Sequence, residues 1–213
     1  MIFASGVSNS TTAAPADYRR EHLLLKERAA EAAHLVYFST CSLSDPTLKG
    51  SAYIRHKQAM EEMVAGMGRP YTIFRLPNLI GHTPNPHTLC NYLRDHIMAG
   101  EPISLQTKAC RYLMDVDAVS EACSHMIRRG AFTGQTINIC FDPPAPLPGL
   151  LREMERVLGR QAAVREEDRG SCYAVDNTPF KQYWTAVMGR PWPGADQWKQ
   201  VVAKYYRAPP SAT

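Results

Sequence analysis

No apolar run in this chain approaches the roughly 20 residues needed to cross a bilayer, so no stretch reads as a membrane span. The first ten residues, MIFASGVSNS, have no basic leader and are too short and polar for a secretory signal. There is no C-x-x-C pair. The six cysteines (Cys41, Cys90, Cys110, Cys123, Cys140 and Cys172) are scattered, which argues against a zinc site or any other metal site and predicts reduced thiols in the cytoplasm. Charge of one sign is scarce too: a dispersed net +4 over 213 residues gives no footprint for nucleic acid and leaves small anions as partners. No glycine-rich turn opens a helix. The one close pair, Gly66-x-Gly68, follows a helical stretch and reads as its end. No internal repeat is present. What remains is 45% hydrophobic and 21% charged, ordinary globular material for one large domain or two small ones.

The chain is organised around residues 35–57, LVYFSTCSLSDPTLKGSAYIRHK. Leu35-Val-Tyr-Phe38 runs into the hydroxyl pair Ser39-Thr40 and reads as a buried strand, apolar on both faces as in parallel sheets. Tyr53-Ile-Arg-His-Lys57 opens a helix, and residues four apart share a face, so Tyr53 and Lys57 point the same way.

On either side the pattern repeats. Met1–Ala4 reads as a strand leading into Ser5-Gly6-Val7-Ser8-Asn9-Ser10, and TTAAPAD as a loop in which Asp17 caps a helix from Tyr18 to about Ala33. On that helix Leu23, Leu24, Ala30 and Ala33 are expected inward, with Arg19, Arg20, Glu27 and Glu31 in solvent. Helix 52–66 and strand 71–76 follow, the latter ending in Pro77-Asn78-Leu-Ile-Gly81. Strand–helix alternation with short connections implies a parallel α/β sheet with right-handed crossovers. Beyond the proline-rich HTPNPHT the sequence predicts helix 88–99, a strand at 103–105, a helix at 117–129 and a strand at 136–141. DPPAPLP then marks a change of subdomain, before helix 149–158, a strand at 162–165, terminal helices near 179–188 and 195–206, and a frayed APPSAT tail. The division expected is 1–81 and 82–213, the second part returning in places to the sheet.

A threonine at a strand's end, facing a tyrosine and a lysine on the next helix, is a proton-transfer constellation. Tyrosine titrates near 10 unperturbed, and an ammonium one turn away is expected to lower that value. Thr40 would hold the reacting oxygen while Tyr53 moves a proton and a cofactor handles a hydride.

These blocks resemble the short-chain dehydrogenase/reductases, in their extended branch of NAD(P)-dependent sugar-nucleotide epimerases and dehydratases. The matching residues are VYFSTCS with Thr40, YIRHK with Tyr53 and Lys57, FRLPNLIG at 74–81, MDVDAVSEA at 114–122 and TINIC at 136–140, while FASGVSNS is similar to the family's fourth strand. The resemblance runs from residue 2 to about 160. It implies a partial Rossmann-like parallel sheet (family strands four to six onward) with a smaller mixed α/β C-terminal substrate region. It also implies that Thr40, Tyr53 and Lys57 are catalytic, and that Ala4, Ser5, Gly6, Lys57, Pro77 and Asn78 meet NAD or NADP. Asn78 and Arg111 would meet a nucleotide-sugar substrate, Arg111 at its diphosphate.

The family's opening G-x-x-G-x-x-G turn, whose helix N-terminus binds the pyrophosphate, has no counterpart in these residues. Residues 2–5 are therefore expected at an open sheet edge, NAD(P) binding is expected to be weak, and association into a homo-oligomer would cover the edge. The competing expectation is a cofactor-free binding module, or a piece of a longer product without activity of its own. Arg75 reads as an ion-pair partner within its strand, and Cys41 as a small semi-buried residue. His82 and His87 sit in a proline-rich loop beside the expected cleft, and Trp184, Trp192 and Trp198 pack the terminal helices.

Overall fold

A computed structural model describes residues 1–7 and 15–207. Ser8-Asn9-Ser10, Thr11 to Ala14 and the APPSAT tail, on which the sequence places loops, lie outside them. The chain forms two compact units: Met1–Pro77 with Ser120–Cys140 and Ala174–Arg190, and Asn78–Val119 with Phe141–Tyr173 and Pro191–Thr213.

The first unit is built on a parallel sheet in the order Ile2–Phe3, Leu35–Thr40, Tyr71–Leu76, Gln135–Asn138. Its two central strands pair over their whole length, from Leu35 with Tyr71 to Thr40 with Leu76. Leu35, Val36 and Tyr37 are all buried, as a central parallel strand requires. Ile2–Phe3 is an edge, paired on one side only among the described residues, and Ile2 is 56% exposed. The core of this unit gathers Phe3, Leu25, Leu35, Tyr37, Met60, Val64 and Ile73.

Helix Ala52–Gly66 starts where the sequence places it, with the Ser51 hydroxyl accepting from the Ile54 amide at 3.2 Å, one of the orphan donors of a helix start. Past its end Gly68 takes φ +65°, a backbone that favours glycine. The preceding helix differs from expectation. It spans Pro15–Ala29, Asp17 lies inside its first turn, and its buried face is Glu21, Leu25 and Ala29 while Leu23 is 52% exposed. Residues 21, 25 and 29 form one row at four-residue spacing. Hydrophobicity alone selects a neighbouring row, because the carboxylate that belongs inside is matched by a lysine far away in sequence.

The second unit has three two-stranded pairings: Pro102–Gln106 with Ala163–Glu167 and Asn78–Ile80 with Leu113–Asp115, both parallel, and Cys110–Arg111 antiparallel to Ala145–Pro146. Helices Leu89–Ala99, Leu147–Leu158 and Gln197–Tyr206 supply an apolar core that includes Leu93, Ile97, Leu150, Met154 and Val202. The breaker segment DPPAPLP thus contains a short strand and the start of a helix.

One expectation is overturned here: Cys110 and Cys172 form a disulfide, with Cα atoms 4.6 Å apart. The Cys110 amide donates to the Ser171 carbonyl, and this backbone pairing sets the two side chains side by side. Cys41, Cys90, Cys123 and Cys140 are free and buried. Among the described residues no helix is long and apolar enough to cross a membrane.

Candidate active site

Thr40 closes its strand and caps the short turn Cys41–Ser44, its hydroxyl oxygen accepting from the Ser42 amide at 3.1 Å. Successive strand residues face opposite sides of a sheet, which separates the hydroxyl pair. Thr40 is hydrogen-bonded to the Tyr53 phenol, whereas Ser39 Oγ is buried without a partner among the described residues. Tyr53 and Lys57 both lie on the buried face of helix Ala52–Gly66, at 6% and 3% exposure. The three residues of the expected triad are therefore in one unit and on neighbouring elements.

Their electrostatics differ from expectation. Lys57 does not lower the Tyr53 pKa: burial pushes the phenol above its ordinary 10.0, and the Thr40 hydrogen bond offsets this only in part. The ammonium is committed elsewhere. Lys57 Nζ donates to Glu21 Oε1 and to the Tyr37 hydroxyl, each at 3.1 Å. Burial draws its pKa down, against the pull of Glu21.

Glu21 is the residue that the sequence reading missed. It is completely buried, and four groups converge on its carboxylate. The Tyr37 hydroxyl donates to Oε1 at 2.6 Å, and Lys57 shares that oxygen; the Val7 amide meets Oε2 at 2.6 Å and His56 Nε2 meets it at 2.9 Å. Burial would raise its pKa, but Lys57, Tyr37, Val7 and His56 together hold it below the ordinary carboxylate value. A carboxylate that accepts several donors is stabilised in its charged form. The sequence signal was faint: a Glu in register with Leu25 and Ala29.

Gly6 closes this cluster. A Cβ there would lie 2.8 Å from Lys57 Nζ and 3.1 Å from Glu21 Oε1, so a larger residue would have to push the Lys57 ammonium aside. Ala4 and Ser5 beside it are exposed. Arg75 pairs with Glu61 through two bonds of 2.9 and 2.6 Å, the structural ion pair expected of it. The Cys41 thiol donates to the Arg75 carbonyl at 3.2 Å, and contact with Cys140 and burial raise its pKa well above 9.0, which makes it inert.

Pro77 ends the first segment of the first unit, and the expected substrate residues Asn78 and Arg111 belong to the second unit. There Asn78 Nδ2 donates to the Tyr112 carbonyl at 3.3 Å, and Arg111 Nη1 donates to the Cys110 carbonyl at 2.7 Å.

Residues 4–140 match the model of the NAD dependent epimerase/dehydratase family. The chain belongs to that family. No curated protein matches it in sequence, but solved structures share its fold. A UDP-glucose 4-epimerase from Thermotoga maritima, solved with UDP-glucose, superposes with TM-score 0.70 at 16% identity over 96% of this chain and 76% of that one. The PbgP3 protein from Burkholderia pseudomallei gives 0.68 at 20% identity, over 95% and 74%. The UDP-glucose 4-epimerase of Thermus thermophilus, solved with NAD, gives 0.64 at 16%, over 92% and 70%. At such identities the likeness establishes the fold: a Rossmann-like α/β arrangement with its parallel sheet.

Proposed function

We propose that this member of the epimerase/dehydratase family carries the proton-transfer residues of an NAD(P)-dependent epimerase, dehydratase or reductase acting on a nucleotide-linked sugar. The observation that supports this most is the buried set of Thr40, Tyr53 and Lys57 on a strand end and the following helix. Tyr53 is the acid–base residue. With its pKa raised by burial it holds its proton at neutral pH and is set to donate it to a sugar carbonyl oxygen. The Thr40 hydrogen bond favours the phenolate left behind and positions the oxygen.

The residues present fit the nicotinamide end of a dinucleotide. An ammonium has three donors, and Lys57 uses two on Glu21 and Tyr37, leaving one for a ribose hydroxyl. In the first unit the exposed residues Ala4 and Ser5, the glycine at position 6 and Pro77 would help to hold it, and the family resemblance assigns Asn78 to it as well. Bound NAD(P) would supply the hydride exchange. Asn78 and Arg111 are assigned to the substrate, Arg111 to its diphosphate. These 213 residues contain no glycine-rich turn for the pyrophosphate, so we expect them to bind NAD(P) weakly by themselves.

The test combines calorimetric titration with NAD and a discontinuous assay of UDP-glucose conversion at saturating NAD. Turnover that falls about 10²- to 10⁴-fold in Tyr53→Phe, with UDP-glucose binding retained, is the expected result. Unchanged turnover in that variant removes Tyr53 from the mechanism. UDP-glucose binding without conversion at any NAD concentration favours the cofactor-free module, and low-micromolar NAD affinity overturns the weak-binding expectation.

A further inference from the structure

A recess that the proton-transfer site does not use lies wholly within the second unit. Its volume is about 380 Å³, and its walls include His82, Asn91, Arg94, Tyr205 and Tyr206, a size at which small-molecule pockets begin. The wall is built around one buried side chain. Asn91 is 2% exposed; its Nδ2 donates to the carbonyls of Thr83 and Asn85 at 3.0 and 2.8 Å, and its Oδ1 accepts from the Tyr206 hydroxyl at 2.7 Å. The proline-rich loop, helix Leu89–Ala99 and the end of helix Gln197–Tyr206 are tied together through it.

Beside this frame Arg94 is held by its Nε end. Its Nε donates to Asp95 Oδ1 at 2.7 Å and its guanidinium lies 5.9 Å from the Tyr206 ring centre. Its Nη1 and Nη2 have no hydrogen-bond partner among the described residues. Neither has the His82 ring, which stands edge-on to Tyr205 at 5.0 Å. The nearby carboxylates are already occupied: Asp95 by Arg94, and Asp115 and Asp117 by Lys204, at 2.7 Å each. The Tyr205 hydroxyl is held by Asp115 at 2.8 Å, which fixes its ring in the wall. A planar fork of N–H donors, an imidazole and a fixed aromatic ring face one small cavity. That fork matches the two oxygens of a carboxylate or phosphate.

We propose that this recess binds a small ring-bearing molecule through its oxyanion, phosphate or carboxylate, with the oxyanion on Arg94 and His82 and the ring against Tyr205. The inference is independent of the sugar-nucleotide reading, since its test reads binding and not turnover. Titration calorimetry of the whole chain uses phenyl phosphate and benzoate, with inorganic phosphate as the ringless comparison. Saturable binding of a ring-bearing anion is expected, with inorganic phosphate about tenfold weaker and at least about a tenfold loss in Arg94→Gln. Arg94→Lys, which keeps the charge and loses the fork, should also weaken binding, as should His82→Ala. The tighter of the two probes names the oxyanion. Far-ultraviolet circular dichroism melts identify variants that remain folded, and Arg94→Lys serves if Arg94→Gln does not. The proposal falls if neither ring-bearing anion gives saturable heat, if the folded Arg94 variants bind as the parent does, or if inorganic phosphate binds as tightly as phenyl phosphate.

Discussion

The two units handle charge in opposite ways. In the first, a lysine and a glutamate meet with almost no water: Lys57 is 3% exposed and Glu21 is fully buried. In the second, Lys204 also bonds carboxylates, Asp115 and Asp117 at 2.7 Å each, but its side chain is 46% exposed. The distances favour the exposed cluster; burial reverses the ranking. An interior pair has already given up its hydration, so removing one partner strands the other, whereas water replaces whatever an exposed pair loses. The second unit relies instead on apolar packing and a covalent tie, Cys110–Cys172. Short contacts thus do not rank the interactions of this protein; solvent access does.

The sharpest way to break this comparison is Glu21→Leu, which leaves the Lys57 ammonium buried without its carboxylate. A loss of about 3–5 kcal/mol is expected by urea denaturation, and a loss no larger than that of Lys204→Met would refute the ranking. The same group sets a pH dependence. The folded-state pKa of Glu21 lies below its ordinary 4.5, so in acid the unfolded chain binds the extra proton. The stability it contributes is present above that ordinary value and is lost as pH falls through the folded one. In Glu21→Gln the urea midpoint should vary less over this acid range than in the parent; an unchanged acid limb would show that other carboxylates set it.

Reduction of the disulfide comes next. It closes a span of 62 residues, and its loss should cost about 2–4 kcal/mol, read as a lower urea midpoint in dithiothreitol than in its absence. Equal midpoints would leave apolar packing as the second unit's main tie. The smallest effect belongs to Lys204→Met, expected to leave the melting transition where it was, since that side chain is 46% exposed and water can replace its carboxylate partners. A clear destabilisation there would mean that the exposed cluster carries more than its solvent access allows.

Much of this was legible beforehand, for local reasons. Strand 71–76 and helix 52–66 stand where apolar runs and helical periodicity place them, because those signals depend on neighbours in sequence. The approach of Tyr53 to Thr40 was legible too, since a strand end and the following helix are joined by a short connection. The inward face of helix Pro15–Ala29 was not legible from hydrophobicity, which passes over a buried glutamate. The lowered tyrosine pKa also failed, because spacing says that Lys57 shares a face with Tyr53 but not what else that ammonium meets.

By itself, then, the sequence determined the parallel sheet and the shared face of Tyr53 and Lys57. The first follows from the alternation of strands and helices with short connections, the second from a period of 3.6 residues that any short window displays. Only the tertiary structure decided that Glu21 meets Lys57 36 residues on, that Cys110 meets Cys172, and that Arg94 stands beside Tyr206. Each joins groups whose partners lie on other elements. Whether a charge or thiol is paired depends on where the chain returns, and no local pattern records that.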